Sequence, residues 1–205
     1  MLATNERPHS RAFREEVNIV LSAFDCVLNS EKAVYASSDL TTGRRFYRLL
    51  RECGARDPAD LRSKLGDERY RRELFEPNQL AANAFARSVR ERLGGSTLVI
   101  TPAPLTVPGW SQQEYLRFFE TLIRTRIKAV FCNEGWEYSN GCTFEFAVAH
   151  EAGIPTHDSA HALIDRSRGL ELIERAVREL ESAGVEPIGL RRHQALLQSI
   201  TEPPP

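Results

Sequence analysis

The chain has 205 residues, with 27 Lys and Arg against 28 Asp and Glu and a formal net charge of -1 at pH 7. This length fits one domain with a terminal elaboration and is long enough to bury a core without disulfides or metals. The balanced charge argues against a broad nucleic-acid-binding surface, which needs clustered positive charge. No apolar run approaches the roughly 20 residues of a membrane span, and the N-terminus lacks a signal-peptide layout, so we expect no membrane association and a cytoplasmic location.

The predicted elements alternate between helices and short apolar strands. An N-terminal helix over 10–29 precedes strand 33–37, a helix that ends near residue 53, short helices in the charged segment 55–76, and a helix over 79–93. Then follow strand 97–101, a helix that opens with a capping box at 111–114, strand 128–132, a helix over 142–152, a short strand at 154–156 and a helix around 170–180.

This alternation predicts an α/β fold with a parallel, flavodoxin-like or Rossmann-like sheet of about five strands flanked by helices. We divide the chain into an N-terminal helical extension (1–32), an α/β domain (33–183) with a helical insertion at about 55–76, and a C-terminal tail (184–205). The four cysteines have no CxxC spacing, and His157 and His161 have no partner motif, so we expect reduced thiols, no metal and no cofactor.

Ligands of such sheets bind beyond the carboxyl ends of the strands, which directs attention to the loops 36–43, 102–111 and 133–145. The first loop offers small polar residues and a helix N-terminus that suit a phosphate group, with Arg44 or Arg45 adding charge. The candidate binding residues there are Ser37, Ser38, Asp39, Thr41, Thr42 and Gly43. The alternative is that both arginines are ordinary solvated surface residues.

The third loop carries aromatic and acidic residues and leads into a helix with Glu145 in its expected first turn. Free amides there favour an ionised carboxylate, which suits a nucleophile, although many such glutamates only complement the helix dipole. Gly141 permits a close backbone approach to a ligand. Trp136 and Tyr138 either stack on a planar base or cover the edge of the core.

Two segments resemble the nucleoside 2-deoxyribosyltransferase-like family, which includes nucleotide N-glycoside hydrolases. They are Tyr35-Ala-Ser-Ser-Asp-Leu after the first strand and Ser139-Asn-Gly-Cys-Thr-Phe-Glu145, and the order of elements over 33–183 is also similar. The resemblance implies that Glu145 attacks the anomeric carbon of the sugar, that Tyr35 lies close to it, and that Asn140 contacts the sugar 5′ end. It also implies an assisting carboxylate from a preceding helix, for which Glu120 is the nearest candidate, and a substrate-binding role for Ser139 and Gly141.

The sequence departs from the family where Ser37-Ser38-Asp39 replaces a usual glycine, at the 55–76 insertion and at the N-terminal helix. We therefore expect a hydrolase or transferase of a nucleoside or nucleoside 5′-monophosphate, which the resemblance implies is a homodimer. A phosphoribohydrolase of the lysine-decarboxylase-like group is an alternative, although only Gly141, Thr143 and Glu145 echo its glycine-rich motif. The others are a non-catalytic nucleotide-sensing module and a protein-interaction domain that uses the helical additions at 10–29 and 190–199.

Overall fold

A parallel β-sheet forms the centre of the computed structural model, which describes residues 11–28 and 33–200. Its strands are β1 (Ala33–Ser37), β2 (Val99–Ile100), β3 (Ile127–Cys132) and β4 (Thr156–His157). The strand order is β2-β1-β3-β4, and every neighbouring pair is parallel. The predicted α/β class is confirmed, and the four strands formed by these residues are close to the number predicted.

Helices cover both faces of the sheet. Their bounds are α1 (Arg11–Leu28), α2 (Arg44–Cys53), α3 (Pro58–Leu65), α4 (Asp67–Tyr70), α5 (Glu76–Arg92), α6 (Gln112–Arg126), α7 (Asn140–Glu151), α8 (Arg166–Ser182) and α9 (Leu190–Ser199). The capping box is present, because the side chain of Ser111 accepts from the backbone of Glu114 and the side chain of Glu114 accepts from that of Ser111. Residues 1–10 and 29–32 of the predicted extension, and the prolines at the end of the tail, lie outside the described residues.

Alternation along β1 divides the core. Val34 and Ala36 pack on one face with Ala86 and Val89 of α5, whereas Tyr35 lies in the cluster on the opposite face with Phe119 of α6. Successive strand residues point to opposite faces, so residues 33, 35 and 37 share one face. The face that carries Tyr35 is also the face against which α7 packs.

The inserted segment forms the predicted short helices and then joins α5 without a break. A π-helical turn over Arg71–Phe75 connects α4 to α5, so the helical chain runs from Asp67 to Arg92. Leu61 of α3 and Leu74 of the π-helical turn are fully buried, which anchors the insertion to the main core. The sequence predicted separate helices here, and it did not predict the π-helical turn.

The expectation of a C-terminal tail from residue 184 is wrong for residues 184–200. Helix α9 packs against α7 and α8, and its Leu190 and Leu197 are fully buried in the main core. Its His193 is also buried, and the ring Nδ1 lies 2.9 Å from Oγ1 of Thr143 on α7. The helical period of the apolar residues in this segment matches a face that the fold covers.

Membrane-spanning length and apolarity are not reached by any helix in the ranges 11–28 and 33–200.

Candidate active site

A buried carboxyl group at the carboxyl edge of the sheet is the centre of the candidate site. The hydroxyl of Tyr35 donates to Oε1 of Glu145 at 2.8 Å, and Oγ of Ser37 donates to Oε2 at 2.5 Å. We call these three residues the Glu145 cluster. Tyr35 and Ser37 are 0% exposed and Glu145 is 4% exposed, so the cluster is shielded from solvent.

The cluster follows from the local structure of β1 and α7. Tyr35 and Ser37 are two residues apart on β1, so their side chains leave the same face of the sheet. Helix α7 follows β3, which pairs with β1 in the register Ser37 to Cys132. Oγ of Ser139 accepts from the backbone N–H of Cys142 and fixes the start of α7, which presents Glu145 to both hydroxyls.

Burial dominates the ionisation of Glu145. Loss of solvent raises the pKa of its carboxyl group from 4.5 to about 7, although the hydrogen bonds from Ser37 and Tyr35 act in the opposite direction. The pKa of the Tyr35 hydroxyl is also raised, first by burial and then by the nearby Glu145 charge. The carboxyl group is therefore the member of the cluster that exchanges its proton near neutral pH.

The sequence-based position of Glu145 within its helix is wrong. Helix α7 begins at Asn140, two residues before the predicted start, so Glu145 is its sixth residue and no acidic residue occupies the first turn. The favourable field of free amides is strongest in the first turn. Burial therefore outweighs the helix dipole, and the expected fully ionised carboxylate is replaced by one that is about half protonated at neutral pH.

The loop after β1 is joined to the start of α7 by hydroxyl groups. Oγ1 of Thr42 lies 3.2 Å from Oγ of Ser139 and accepts from the backbone N–H of Asn140 at 3.0 Å. The side chain of Asn140 lies against Gly189, where a Cβ atom would clash with its carboxamide. The structure thus brings Thr42, Ser139 and Asn140 together, with the Asn140 side chain directed to the segment before α9.

Gly43 is required by the conformation of the same loop. Its φ of 109° is disfavoured for other residues, and a Cβ atom there would clash with the carboxylate of Asp39. Asp39 accepts from Nδ2 of Asn133 at 2.6 Å, which ties the loop after β1 to the end of β3. Burial raises the pKa of the Asp39 carboxyl group, and the Asn133 hydrogen bond opposes this effect.

The candidate phosphate-binding residues have different surroundings. Ser38 is 5% exposed, and its Oγ has no hydrogen-bond partner within the described parts of the chain. Arg44 forms an ion pair with Glu137 at 3.3 Å and lies over the ring of Tyr138 at 4.5 Å. Arg45 instead donates to Asn78 at 3.1 Å, and Thr41 is exposed.

Two of the candidate residues have structural environments away from the Glu145 cluster. Trp136 is 3% exposed and stacks on Phe146 with a centroid distance of 4.4 Å, which favours the core-covering interpretation. Glu120 accepts from Arg124, which also pairs with Glu151 at the far end of α7. Six helical residues separate Glu151 from Glu145, about 9 Å along the axis, and the structure does not bring Glu120 into the cluster.

Gly141 is the second residue of α7, and a Cβ atom there would meet Oγ of Ser139 only at an ordinary 3.9 Å. The described protein atoms therefore do not require a glycine at this position. Space beside the first turn of α7 remains the reason for treating it as a ligand-facing position.

Three residues near the cluster were missed by the sequence interpretation. Asn133 follows β3 directly, and its position at a strand end was the signal that could have found it. Cys132 and Cys142 are fully buried, and burial followed by the Glu145 charge raises the pKa of both thiols. The thiols therefore remain protonated at neutral pH, which makes them poor nucleophiles.

Two cavities flank the site, and Glu145 lines neither. One of about 250 Å³ lies between Arg44, Tyr47 and Tyr138 on one side and the end of α8 on the other. The other, of about 600 Å³, lies between Thr41 and the inserted helices. The described residues contain no group of three or more His, Cys, Asp or Glu side chains arranged to hold a metal ion.

No protein-family model, curated protein or solved structure matches the chain.

Proposed function

We propose that the protein cleaves or transfers the N-glycosidic bond of a nucleoside or nucleoside 5′-monophosphate, with Glu145 as the nucleophile. The Glu145 cluster carries the proposal, because a buried carboxyl group is held by two hydroxyls at the carboxyl edge of a parallel sheet. Ligands of such sheets bind at this edge. A pKa of about 7 supplies a large ionised fraction at neutral pH without leaving the group strongly stabilised as a spectator.

In the proposed first step, an oxygen of ionised Glu145 bonds to the anomeric carbon as the N-glycosidic bond breaks. The base leaves with the bonding electron pair and takes up a proton. Water or a second base then displaces the carboxylate from the sugar. Tyr35 and Ser37 are positioning residues in this reaction, because each donates to a different oxygen of the carboxylate and favours its ionised form.

The loop after β1 supports binding of a 5′-phosphate. The N-cap of α2 is Gly43, which provides no side-chain hydrogen bond to the free amides of the first turn. Oγ of Ser38 is buried near the end of β1 without a partner among the residues described, and Arg44 begins α2. Amides, a hydroxyl and a guanidinium are groups that bind phosphate.

We also propose a cytoplasmic homodimer. The dimer rests on the family resemblance of the strand-end motifs. The cytoplasmic location is supported by four cysteines that are all free thiols. Light scattering at working concentrations tests the dimer, and a monomer contradicts it.

Base release tests the activity. Purified protein is incubated with a panel of nucleosides and nucleoside 5′-monophosphates, and free base is measured by chromatography. We expect Glu145→Gln to abolish release and Glu151→Gln, an exposed substitution on the same helix, to retain it. No release from any compound, or full release by Glu145→Gln, contradicts the proposal.

A non-catalytic nucleotide-binding module is the second candidate, and the 4% exposure of Glu145 is the observation that favours it. A catalytic Glu145 requires the surrounding side chains to move when substrate binds, whereas a structural Glu145 does not. Thermal stabilisation by a nucleotide, with the ligand recovered unchanged, supports this second candidate.

A further inference from the structure

The cavity of about 600 Å³ between the inserted helices and the loop after β1 has the size of a small-molecule pocket, which is about 300–1,000 Å³. We call it the insertion cavity. Thr41 contributes from the loop after β1, and the other walls come from α3, α4 and the π-helical turn, including Tyr70 and Phe75. The cavity is therefore built by the segment that lies outside the family resemblance.

The two walls of the insertion cavity are fixed to each other. Asn78, at the start of α5, is 5% exposed and donates from Nδ2 to the backbone oxygen of Leu40 at 3.0 Å. Its Oδ1 accepts from Nε of Arg45 on α2. Because Leu40 precedes Thr41, these bonds hold the loop against the helix that continues from the insertion. A ligand meets a largely preformed site.

The π-helical turn lies in the wall of the cavity. Arg71 and Phe75, the first and last residues of this turn, both line the cavity, whereas Leu74 between them is fully buried in the core. A π-helical turn contains one more residue than an α-helical turn, which rotates the following helix by about 100° relative to the preceding one. This rotation allows Phe75 to line the cavity while α5 presents Asn78 to the loop. Such turns occur frequently at functional sites.

The chemistry of the lining favours a planar, uncharged ligand. Arg62 and Arg71 are balanced by Asp67 and Glu68, so the cavity has no excess charge that would select a polyanion or a polycation. The ring of Tyr70 is half-buried, with the guanidinium of Arg62 over it at 5.8 Å. Aromatic rings and guanidinium planes stack on bases, and carboxylates and guanidinium groups bind donors and acceptors at base edges.

We propose that the insertion cavity binds a planar heterocycle that carries both hydrogen-bond donors and acceptors. The naming of this heterocycle as a nucleobase, either that of the substrate or that of an acceptor, rests on the proposed function. The insertion is thus a specificity element that selects the base, whereas the Glu145 cluster acts on the sugar.

Binding to Glu145→Gln protein tests the proposal without turnover. Adenosine and uridine are each titrated by calorimetry, and amide shifts are followed by NMR. We expect shifts at Thr41, Tyr70 and Phe75. We also expect Tyr70→Leu to weaken binding by about tenfold or more, which is the loss from one base–aromatic stacking contact. The matched control is Arg69→Ala, which removes an exposed neighbour that pairs with Glu73 and leaves binding unchanged.

A second variant keeps the test decisive if Tyr70→Leu does not fold. Glu68→Gln changes an exposed cavity residue from an acceptor to a group that both donates and accepts, so we expect a changed ratio of the adenosine and uridine Kd values. Unchanged Kd values in the folded variants, shifts confined to β1 and α7, or no binding of either nucleoside overturn the proposal.

Failure of the cavity proposal is distinguishable from failure of the proposed function. If wild-type protein releases base with the same KM as Glu68→Gln and Tyr70→Leu, the function stands and the cavity proposal fails. If nucleosides bind in the cavity but no base is released, the cavity proposal stands and the N-glycosidase proposal fails.

Discussion

Replacing Glu145 by glutamine should stabilise the protein at high pH and leave its stability nearly unchanged at low pH. Glutamine has almost the same shape as glutamic acid and does not ionise. Its amide retains an acceptor and gains a donor for the hydroxyls of Tyr35 and Ser37, which bond to the carboxylate at 2.8 and 2.5 Å. The substitution therefore isolates the free energy required to ionise the buried carboxyl group.

The magnitude follows from the pKa of Glu145, which burial raises from 4.5 to about 7. Below pH 4.5 the group is protonated in both the folded and the unfolded chain and makes no difference. Between pH 4.5 and 7 the unfolded chain loses the proton while the folded chain keeps it, so the wild-type free energy of unfolding falls as pH rises. At about 1.36 kcal/mol per pH unit, this loss reaches about 3 kcal/mol and is constant above pH 7.

Urea unfolding of the wild type and Glu145→Gln between pH 4.5 and 8 measures the difference. Other titrating groups are common to both proteins, so their contributions largely cancel in the subtraction. Glu151→Gln is the control, because Glu151 is on the same helix but is 46% exposed and its pair with Arg124 contributes little. Parallel pH profiles for the wild type and Glu145→Gln would refute the reasoning. A less stable Glu145→Gln at pH 8 would show that hydrogen bonds to the carboxylate outweigh desolvation.

Three further predictions follow from other contacts. Burial lowers the pKa of His193 from 6.5 to about 4, so the free energy of unfolding should fall by about 3 kcal/mol from pH 6.5 to 4, and His193→Gln should remove this loss in urea titrations. Gly43→Ala should lower Tm more than Gly54→Ala, because both have positive φ but only Gly43 has a carboxylate in the Cβ position; equal losses contradict this. Tyr35→Phe should raise the pKa of Glu145 and move the rising limb of a pH–activity profile to higher pH, and an unshifted limb contradicts a positioning role.

The contact between β1 and α7 was predictable because it depends on local rules. Strand alternation places Tyr35 and Ser37 on one face, and the strand-end rule for parallel sheets directs attention to the loop that leads to Glu145. The same rule was sufficient to find Asn133, whose amide completes the connection to Asp39. These inferences need only the order of the elements and the period of the strand.

The ionisation of Glu145 was not predictable because it depends on where α7 begins and on what covers it. A shift of two residues in the helix start moves Glu145 out of the first turn. Sequence period identifies the apolar face of a helix but not its partner, which is why α9 was expected to be a tail. The π-helical turn at Arg71–Phe75 has no comparable signal, since its residues are ordinary helix formers.

The burial of Glu145 has opposite consequences for the free protein and for a bound substrate. In the free protein it disfavours the charged carboxylate and closes the cluster, leaving 4% of the residue exposed. In the proposed reaction the sugar acquires positive charge beside the same carboxylate, and the low dielectric strengthens that attraction relative to water. The positive charge therefore lowers the pKa of Glu145 as the transition state is approached. Burial that destabilises the ionised resting state thus contributes to selective stabilisation of the transition state.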